Sequence, residues 1–302
     1  MLRRTVERAL VWSGIAARLA RRRPVRGIVL AYHDVLPDGV TPSGDRSLHL
    51  ARARFAEHRD LLARETRVVP LAQLLPPWST EVATDLPLVA ITFDDAYAGA
   101  VVTGVAELAT RRMPATICVA PAFLDGRHFW WDALAAQGAD LDPAMRAAAL
   151  TECRGDDSTV RAWARAHGRP ARADFAWPYR CCTTAELNQA LATPGITVAS
   201  HTWHHRNIAA LGPEEAREEL ERSFAWLASF GERAVPIVTW PYGFDSAGAH
   251  SIAAATGYRA AFRVSGGALR AEADPFALPR LNVPAGLSAD GLMLRLAGLL
   301  GG

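Results

Sequence analysis

Two adjacent carboxylates, Asp94 and Asp95, close an apolar run that begins at Leu86. Side by side they repel each other and are costly to desolvate, and a divalent cation bound by one of them relieves that cost. The other is then placed to act as a base beside the ion. The competing reading is local: an N-cap and a solvated neighbour before the next helix. A second cluster, His201-Thr202-Trp203-His204-His205, follows another short apolar run. His201 and His205 stand at i and i+4, so one helical turn or a tight loop aims both imidazoles together. His204 can replace either one on spacing alone. Two histidines with one carboxylate form a common divalent site, with positions left open for water and substrate. Surface histidines on a polar turn are the alternative. Because the two clusters reinforce each other, a catalytic metal site is the leading expectation.

Two further segments have the same character, Leu30-Ala31-Tyr32-His33-Asp34 and Val238-Thr239-Trp240-Pro241-Tyr242-Gly243. The second supplies an aromatic wall and a constrained turn whose backbone N–H groups can face a developing oxyanion. A second Trp-Pro-Tyr at Trp177–Tyr179 lacks both the glycine and a preceding strand, and is read as a decoy.

The elements that must carry these clusters follow from hydropathy. Strands are expected at 27–32, 86–93, 115–120, 196–200, 235–239, 259–263 and 277–281. Several of these runs are continuously apolar, as in strands buried on both faces. Helical stretches near 52–64, 98–112, 183–192, 213–230 and 246–257 alternate with them. Helix starts fall at Ser246 and at Pro213, where Glu214 and Glu215 complement the dipole. Such alternation implies a parallel sheet with helices outside, either a barrel or a doubly wound sheet. The carboxyl ends of parallel strands share one rim, so distant segments converge there. Residues 125–182 break the rhythm and are read as a helical insertion over one face. No internal repeat or linker divides the body.

Composition narrows the chemistry. All 33 basic residues are arginine, which excludes a lysine Schiff base and a P-loop lysine. Residues 1–26 hold eight arginines against Glu7, a net +7; the rest has 25 arginines against 30 acids, a net −5. A basic leader on a mildly acidic body is no sign of a nucleic-acid groove. The leader resembles an amphipathic helix ended by Pro24. It is read either as a helix on an anionic membrane surface or as a terminal helix packed on the domain. It makes a poor secretory signal, because Arg18 breaks the apolar stretch and arginines stand where a cleavage site would be. No apolar run reaches the roughly 20 residues that span a bilayer. Cys118, Cys153, Cys181 and Cys182 contain no Cys-x-x-Cys pair and read as buried or incidental thiols rather than a disulfide framework or zinc ribbon.

Together the clusters resemble the polysaccharide deacetylase family, the NodB-homology domain of carbohydrate esterase family 4. Thr92-Phe93-Asp94-Asp95 is similar to its Thr-Phe-Asp-Asp motif, and His201-Thr202-Trp203-His204-His205 to its His-Ser/Thr-x-x-His motif. Trp240-Pro241-Tyr242-Gly243 resembles the end of its Arg-x-Pro-Tyr-Gly motif. The resemblance covers residues 27–285 and implies a distorted (β/α)7-type barrel, here with a helical insertion and an N-terminal basic helix. The expected organisation is a leader over 1–26 and a deacetylase-like domain over 27–302, with the insertion at about 125–182. The resemblance also implies a divalent cation held by Asp95, His201 and His205, zinc foremost, with cobalt or nickel as substitutes. It implies Asp94 as general base and the backbone N–H of Tyr242, after Pro241, as an oxyanion donor. The reaction would be hydrolysis of an N-acetyl group to acetate and a free amine.

Two departures matter. The motif arginine, expected two residues before Pro241, is Thr239, and the usual Leu-x-His near the end is absent. Arg280, in Leu278-Pro279-Arg280-Leu281, is the candidate replacement that orients the base. Tyr32-His33 resembles the start of the poly-N-acetylglucosamine deacetylase branch, which implies His33 as general acid; a buried structural histidine is the alternative. Trp130-Trp131-Asp132 looks like an aromatic sugar platform to which Trp203 and Trp240 add, the alternative being that Trp130 and Trp131 pack the insertion onto the barrel. The expected substrate is an acetylated amino-sugar glycan or lipid-linked saccharide. The same site on a small cyclic amide or an O-acetyl ester is a second reading, and an inactive glycan-binding module a third. No nucleic-acid partner is expected. Lacking a clear signal, the chain is placed in the cytoplasm, with peripheral contact to the inner membrane face through residues 1–26.

Overall fold

The computed structural model describes residues 2–23, 25–78, 85–135, 140–173 and 175–300; Pro24 lies outside them. The strands are β1 (Ile28–Tyr32), β2 (Asp34–Leu36), β3 (His49–Ala51), β4 (Arg67–Val68), β5 (Leu88–Phe93), β6 (Ala115–Val119), β7 (Ile196–Ser200), β8 (Ala234–Thr239), β9 (Ala260–Phe262) and β10 (Leu281–Asn282). The α-helices are α1 (Leu2–Trp12), α2 (Ile15–Arg22), α3 (Arg52–Glu65), α4 (Val105–Ala109), α5 (Trp130–Leu134), α6 (Pro143–Thr151), α7 (Asp157–Ala166), α8 (Thr184–Leu191), α9 (Pro213–Ala228), α10 (Ala247–Thr256) and α11 (Ala289–Leu296).

Seven strands follow one another in the order β10-β1-β5-β6-β7-β8-β9, every pairing parallel, with β4 added beside β5. The sheet curls into a half-barrel, and a bridge from Phe262 to Leu278 brings its last strand towards its first. This is the seven-stranded distorted barrel expected from the motifs.

Alternation along each strand explains the continuous apolar runs. Val29, Ala90, Cys118, Ala199 and Ile237 fill one side of the sheet together with Phe262 and Leu278. Ile28, Leu30, Val89, Ile91, Ile117 and Val198 face the other way, into the helical layer. Both faces are therefore dry, and strands cannot alternate apolar with polar. Helix ends are locally specified: Thr183 and Glu186 form a capping box on α8, and Ser246 caps α10, which stops at Gly257 with φ 114°.

Residues 125–182 lie between β6 and β7 and contain α5, α6 and α7. Their return segment docks on the turn after β5: Cys182 N–H donates to Ala96 O (2.9 Å), and Ala98 N–H to Arg180 O (2.8 Å). The Trp177–Tyr179 segment forms a single 3-10 turn, with Tyr179 packed edge-on to His49. It is a structural brace for the site's surroundings.

Candidate active site

Each cluster from the sequence sits just past the carboxyl end of a strand: His33 after β1, Asp94 and Asp95 after β5, His201 after β7, Trp240 after β8. The ladder carries one residue beyond the strand in three cases. Asp94 N–H donates to Tyr32 O (2.9 Å), His201 N–H to Val119 O (2.7 Å) and Trp240 N–H to Phe262 O (2.8 Å). Beyond those residues the chain turns sharply. Asp95, Ala96, Thr202, His205 and Tyr242 all adopt positive φ, between 50° and 68°. Non-glycine residues in this region are uncommon, and strain of this kind collects at functional sites.

Asp95, His201 and His205 form a buried group whose candidate ligand atoms all lie within 4.8 Å of one another. Asp95 Oδ1 is 3.0 Å from His205 Nε2 and 3.5 Å from His201 Nε2. Yet Oδ1 accepts no well-directed hydrogen bond and is a buried oxygen without a partner. His201 Nδ1 lies 2.8 Å from Thr239 O, so the proton sits on Nδ1 and the Nε2 lone pair points at the cluster. A carboxylate with an unused lone pair beside two imidazoles, one with its tautomer fixed, fits a divalent cation of the zinc type. Burial works against ionisation of Asp95, but the two histidines overcome it and hold the carboxyl well below its ordinary range. Burial lowers His205, whereas on His201 the two carboxylates outweigh burial and raise it.

Asp94 is held differently. Arg280, completely buried, donates from both terminal nitrogens to the two carboxylate oxygens at 2.6 Å each. The same guanidinium donates to Thr92 Oγ1 (3.0 Å) and, through Nε, to Arg263 O (3.3 Å). A forked, fully satisfied pair of this kind is among the stronger charge-assisted contacts. Burial disfavours the Asp94 anion, but Arg280 and His201 outweigh it and hold the pKa at about 2. Thr239, where the family motif carries arginine, instead serves His201. His33 faces Asp95, Asp94, Arg280 and His201; burial drives its pKa down, with the two carboxylates opposing.

The structure separates the remaining candidates. His204 leaves the cluster: its Nδ1 is 2.7 Å from Glu219 Oε1, on α9. Trp203 goes with it, its ring covered by the Arg222 guanidinium at 4.1 Å. Trp203 thus stands against α9, away from the expected sugar platform. Trp131 is 3% exposed, stacked on Phe129 (4.4 Å) and 4.9 Å from the His205 ring. Trp130 and Trp240 are fully buried. These indoles pack the site from behind and present no face on which a sugar can stack. Pro241 is buried, and Tyr242, at φ 60° and ψ 3°, turns its ring to within 4.7 Å of His205. Its hydroxyl receives Trp130 Nε1–H (3.1 Å) and donates to Gly155 O (3.3 Å), tying the insertion to the site.

Sequence reasoning missed Glu219, a nearly buried carboxylate of α9. It accepts from the backbone N–H of Trp203 (3.0 Å) and of His204 (2.7 Å), gripping the loop between the two cluster histidines. Its only signal was an acidic residue on a helix face otherwise turned to the core. Also missed was a relay that runs from Asp34 to the insertion. Asp34 Oδ2 meets His49 Nδ1 at 2.9 Å, and His49 Nε2 meets Asp132 Oδ1 at 3.0 Å. Asp132 then accepts from the Tyr97 hydroxyl, and Tyr97 accepts from Trp131 Nε1–H (2.8 Å).

The comparisons with known proteins bear on the family and the fold. The polysaccharide deacetylase family model matches residues 81–261. The chain belongs to the polysaccharide deacetylase family and is a deacetylase-type hydrolase. Among solved structures, Streptococcus pyogenes deacetylase PplD, in complex with acetate, matches with TM-score 0.62 and 16% identity over 91% of this chain and 99% of that one. IcaB from Ammonifex degensii matches with TM-score 0.64 and 18% identity, over 91% and 98%. The polysaccharide deacetylase BC0361 from Bacillus cereus gives 0.62 and 14%, over 89% and 68%. At such identities the likeness establishes the fold. A search of curated proteins finds no match for the chain.

Proposed function

We propose that the protein is a metal-dependent N-deacetylase acting on an acetylated amino-sugar glycan. The observation that carries this reading is the pairing of a buried Asp95–His201–His205 group, with an unpartnered carboxylate oxygen, to an Asp94 clamped by Arg280. Asp95, His201 and His205 would hold the divalent ion, zinc foremost, which when bound supplies Lewis acidity and lowers the pKa of water. Asp94 takes the proton from the attacking water as it adds to the acetyl carbonyl carbon. Its low pKa keeps it ionised, and Arg280 keeps both oxygens in place. The backbone N–H of Tyr242 faces the oxyanion that develops on the carbonyl oxygen. His33 delivers a proton to the amide nitrogen as the carbon–nitrogen bond breaks, giving acetate and a free amine. A pKa lowered by burial makes its imidazolium a better donor once charged.

Residues 27–302 act as the catalytic unit and residues 1–26 as a basic leader. The working location is the cytoplasm, at the inner membrane face; among the described residues no helix is long and apolar enough to cross a membrane.

The test measures metal content and acetate release together. Wild type and Asp94→Asn are assayed on N-acetylglucosamine oligomers with added zinc or cobalt. Metal in both, with acetate from wild type alone, is the expected result. Absence of metal after reconstitution would end the reading and favour a glycan-binding module; ring opening of a cyclic amide without acetate would move the activity to that substrate.

A further inference from the structure

The arginine-rich leader is folded against the body in a way that leaves apolar side chains outside. On α1 and α2, Leu10, Val11, Ala16, Ala17 and Ala20 turn to the core. Trp12, Ile15 and Leu19 are instead 74%, 47% and 39% exposed. Trp12 closes α1 and Ile15 opens α2 across a turn at Ser13-Gly14, where Gly14 takes φ 73°; Ile15 and Leu19, four residues apart, share one face of α2. Leu299, just past α11, adds a fourth exposed apolar side chain. Arg8, Arg18, Arg21 and Arg22 are exposed on the same two helices, and the Arg8 guanidinium lies 4.5 Å from the Trp12 ring centre. An aromatic and aliphatic row set among arginines is the composition of a helix that lies in the headgroup layer.

The position of this face matters as much as its chemistry. Glu7, Arg8 and Trp12 line a cavity of about 430 Å3 with Arg54, Ser288 and Asp290. Arg54 lies in the first turn of α3, just after β3, and Ser288 caps α11, just after β10. Helix α3 ends beside β4, which pairs with the first two residues of β5, so its opposite end, with Arg54, points toward the edge of the sheet that carries Asp94. From there α2 descends the wall: Arg21 pairs with Glu65, the last residue of α3, at 3.3 Å, and Arg23 donates to Leu296 O at 2.8 Å. Trp12 thus sits on the outside of the wall made by α3 and α11, at the Arg54 end.

We propose that the outer face of α1 and α2 docks on an anionic bilayer and holds the catalytic rim at headgroup level, so that the amino sugar it receives is carried on a membrane lipid. The substrate half rests on the deacetylase reading; the docking half does not. Charge sets the orientation, since a negative surface attracts the +7 leader and repels the −5 remainder of the chain.

The test uses the full-length protein and sedimentation with vesicles of phosphatidylcholine, alone or mixed with phosphatidylglycerol. Binding is expected on the mixed vesicles only and should weaken with salt. Each of Arg18→Gln and Arg22→Gln should cost roughly fivefold in partitioning. The triple change Trp12→Ala, Ile15→Ser, Leu19→Ser should abolish sedimentation while leaving circular dichroism and acetate release from a soluble N-acetylglucosamine oligomer unchanged. Acetate release from a lipid-linked N-acetylglucosamine embedded in the vesicles should fall with it. Undiminished sedimentation of the triple variant, or none by wild type, overturns the docking. Docking with no loss on the embedded substrate overturns the lipid-carried assignment. No acetate from either substrate, with sedimentation intact, defeats the deacetylase reading and the substrate half, while the docking half stands. A wild type that dimerises in light scattering, with a monomeric triple variant, assigns the face to a second copy and overturns the bilayer.

Discussion

At the scale of single residues, the site is a contrast between two neighbouring carboxylates. Asp94 has both oxygens taken by one guanidinium, whereas Asp95 Oδ1 has no directed partner. One is therefore braced as a base and the other is left to bind. Arg280 bears most of the first role. In its absence only His201 and His33 would oppose burial, and a buried carboxyl that loses its main counter-charge becomes harder to ionise. The sign for Arg280→Gln follows: the Asp94 pKa rises from about 2, and the acid limb of the kcat/KM profile moves to higher pH. Above that limb, kcat/KM should still fall by roughly 10- to 100-fold, as when other groups that support a site are lost. A pH profile of wild type and variant on the same oligomer reads both effects. An acid limb that stays where wild type has it would show that Arg280 does not set the ionisation of the base. Reading the sequence reached Arg280 only as a stand-in for a missing motif arginine. What it could not supply is the reach of that side chain from just before β10 to Asp94, 186 residues away in sequence.

At the scale of elements, strand ends were legible because a continuous apolar run that stops at ionisable residues marks a strand buried on both faces and emerging at a polar rim. The short strands β2, β3 and β4 were not, since two or three residues carry no period. Helix α11 was missed for a related reason: Gly291 to Leu294 and Leu296 are all buried, so no polar stripe marks its outer face. The largest gap concerns how the insertion is fastened. His49, on β3, is bracketed by Asp34 on β2 and Asp132 on α5, all three without solvent exposure. Asp132 is 83 residues from His49, so no local pattern shows the pairing. Both ring nitrogens face carboxylates, a setting that favours the imidazolium. Burial opposes that charge, and Asp132 and Asp34 outweigh it, raising the pKa from 6.5 to about 10. A raised folded-state pKa gives stability that is complete below about pH 6.5 and is lost as pH climbs through 10. His49→Gln removes the cation and leaves two buried carboxylates facing each other, a loss of about 3–5 kcal/mol. Urea unfolding at several pH values checks this. The gap between wild type and His49→Gln should be widest in mild acid and narrow towards pH 10, and a gap independent of pH would remove the charge from the account.

At the scale of the whole molecule, one rim gathers groups from distant parts of the chain, from His33 to Tyr242, and Arg280 reaches up to it from just before β10. Parallel topology makes this possible, because every strand of the seven-stranded path ends on the same side. The class of fold and the identity of the cluster were readable for that reason, while the packing of the indoles was not: Trp131 and Trp203 look alike as exposed platforms until burial is known. The same topology links the site to global stability. Asp95, His201 and His205 come from two loops on β5 and β7, strands separated by β6, and an ion held by all three would join them only when the barrel is folded. Binding of this kind adds stability by mass action, about 4 kcal/mol when free ion stands at a thousand times its Kd. Thermal unfolding of the metal-stripped protein, with and without zinc, should show that gain as a rise in Tm. Asp94→Asn should keep most of the rise, because Asp94 is tied to Arg280. His205→Ala should lose nearly all of it, even if its metal-free Tm matches wild type. The two variants therefore separate binding from base without an assay of activity. A rise that survives His205→Ala would place the ion elsewhere in the molecule and undo the ligand assignment, whatever acetate release showed.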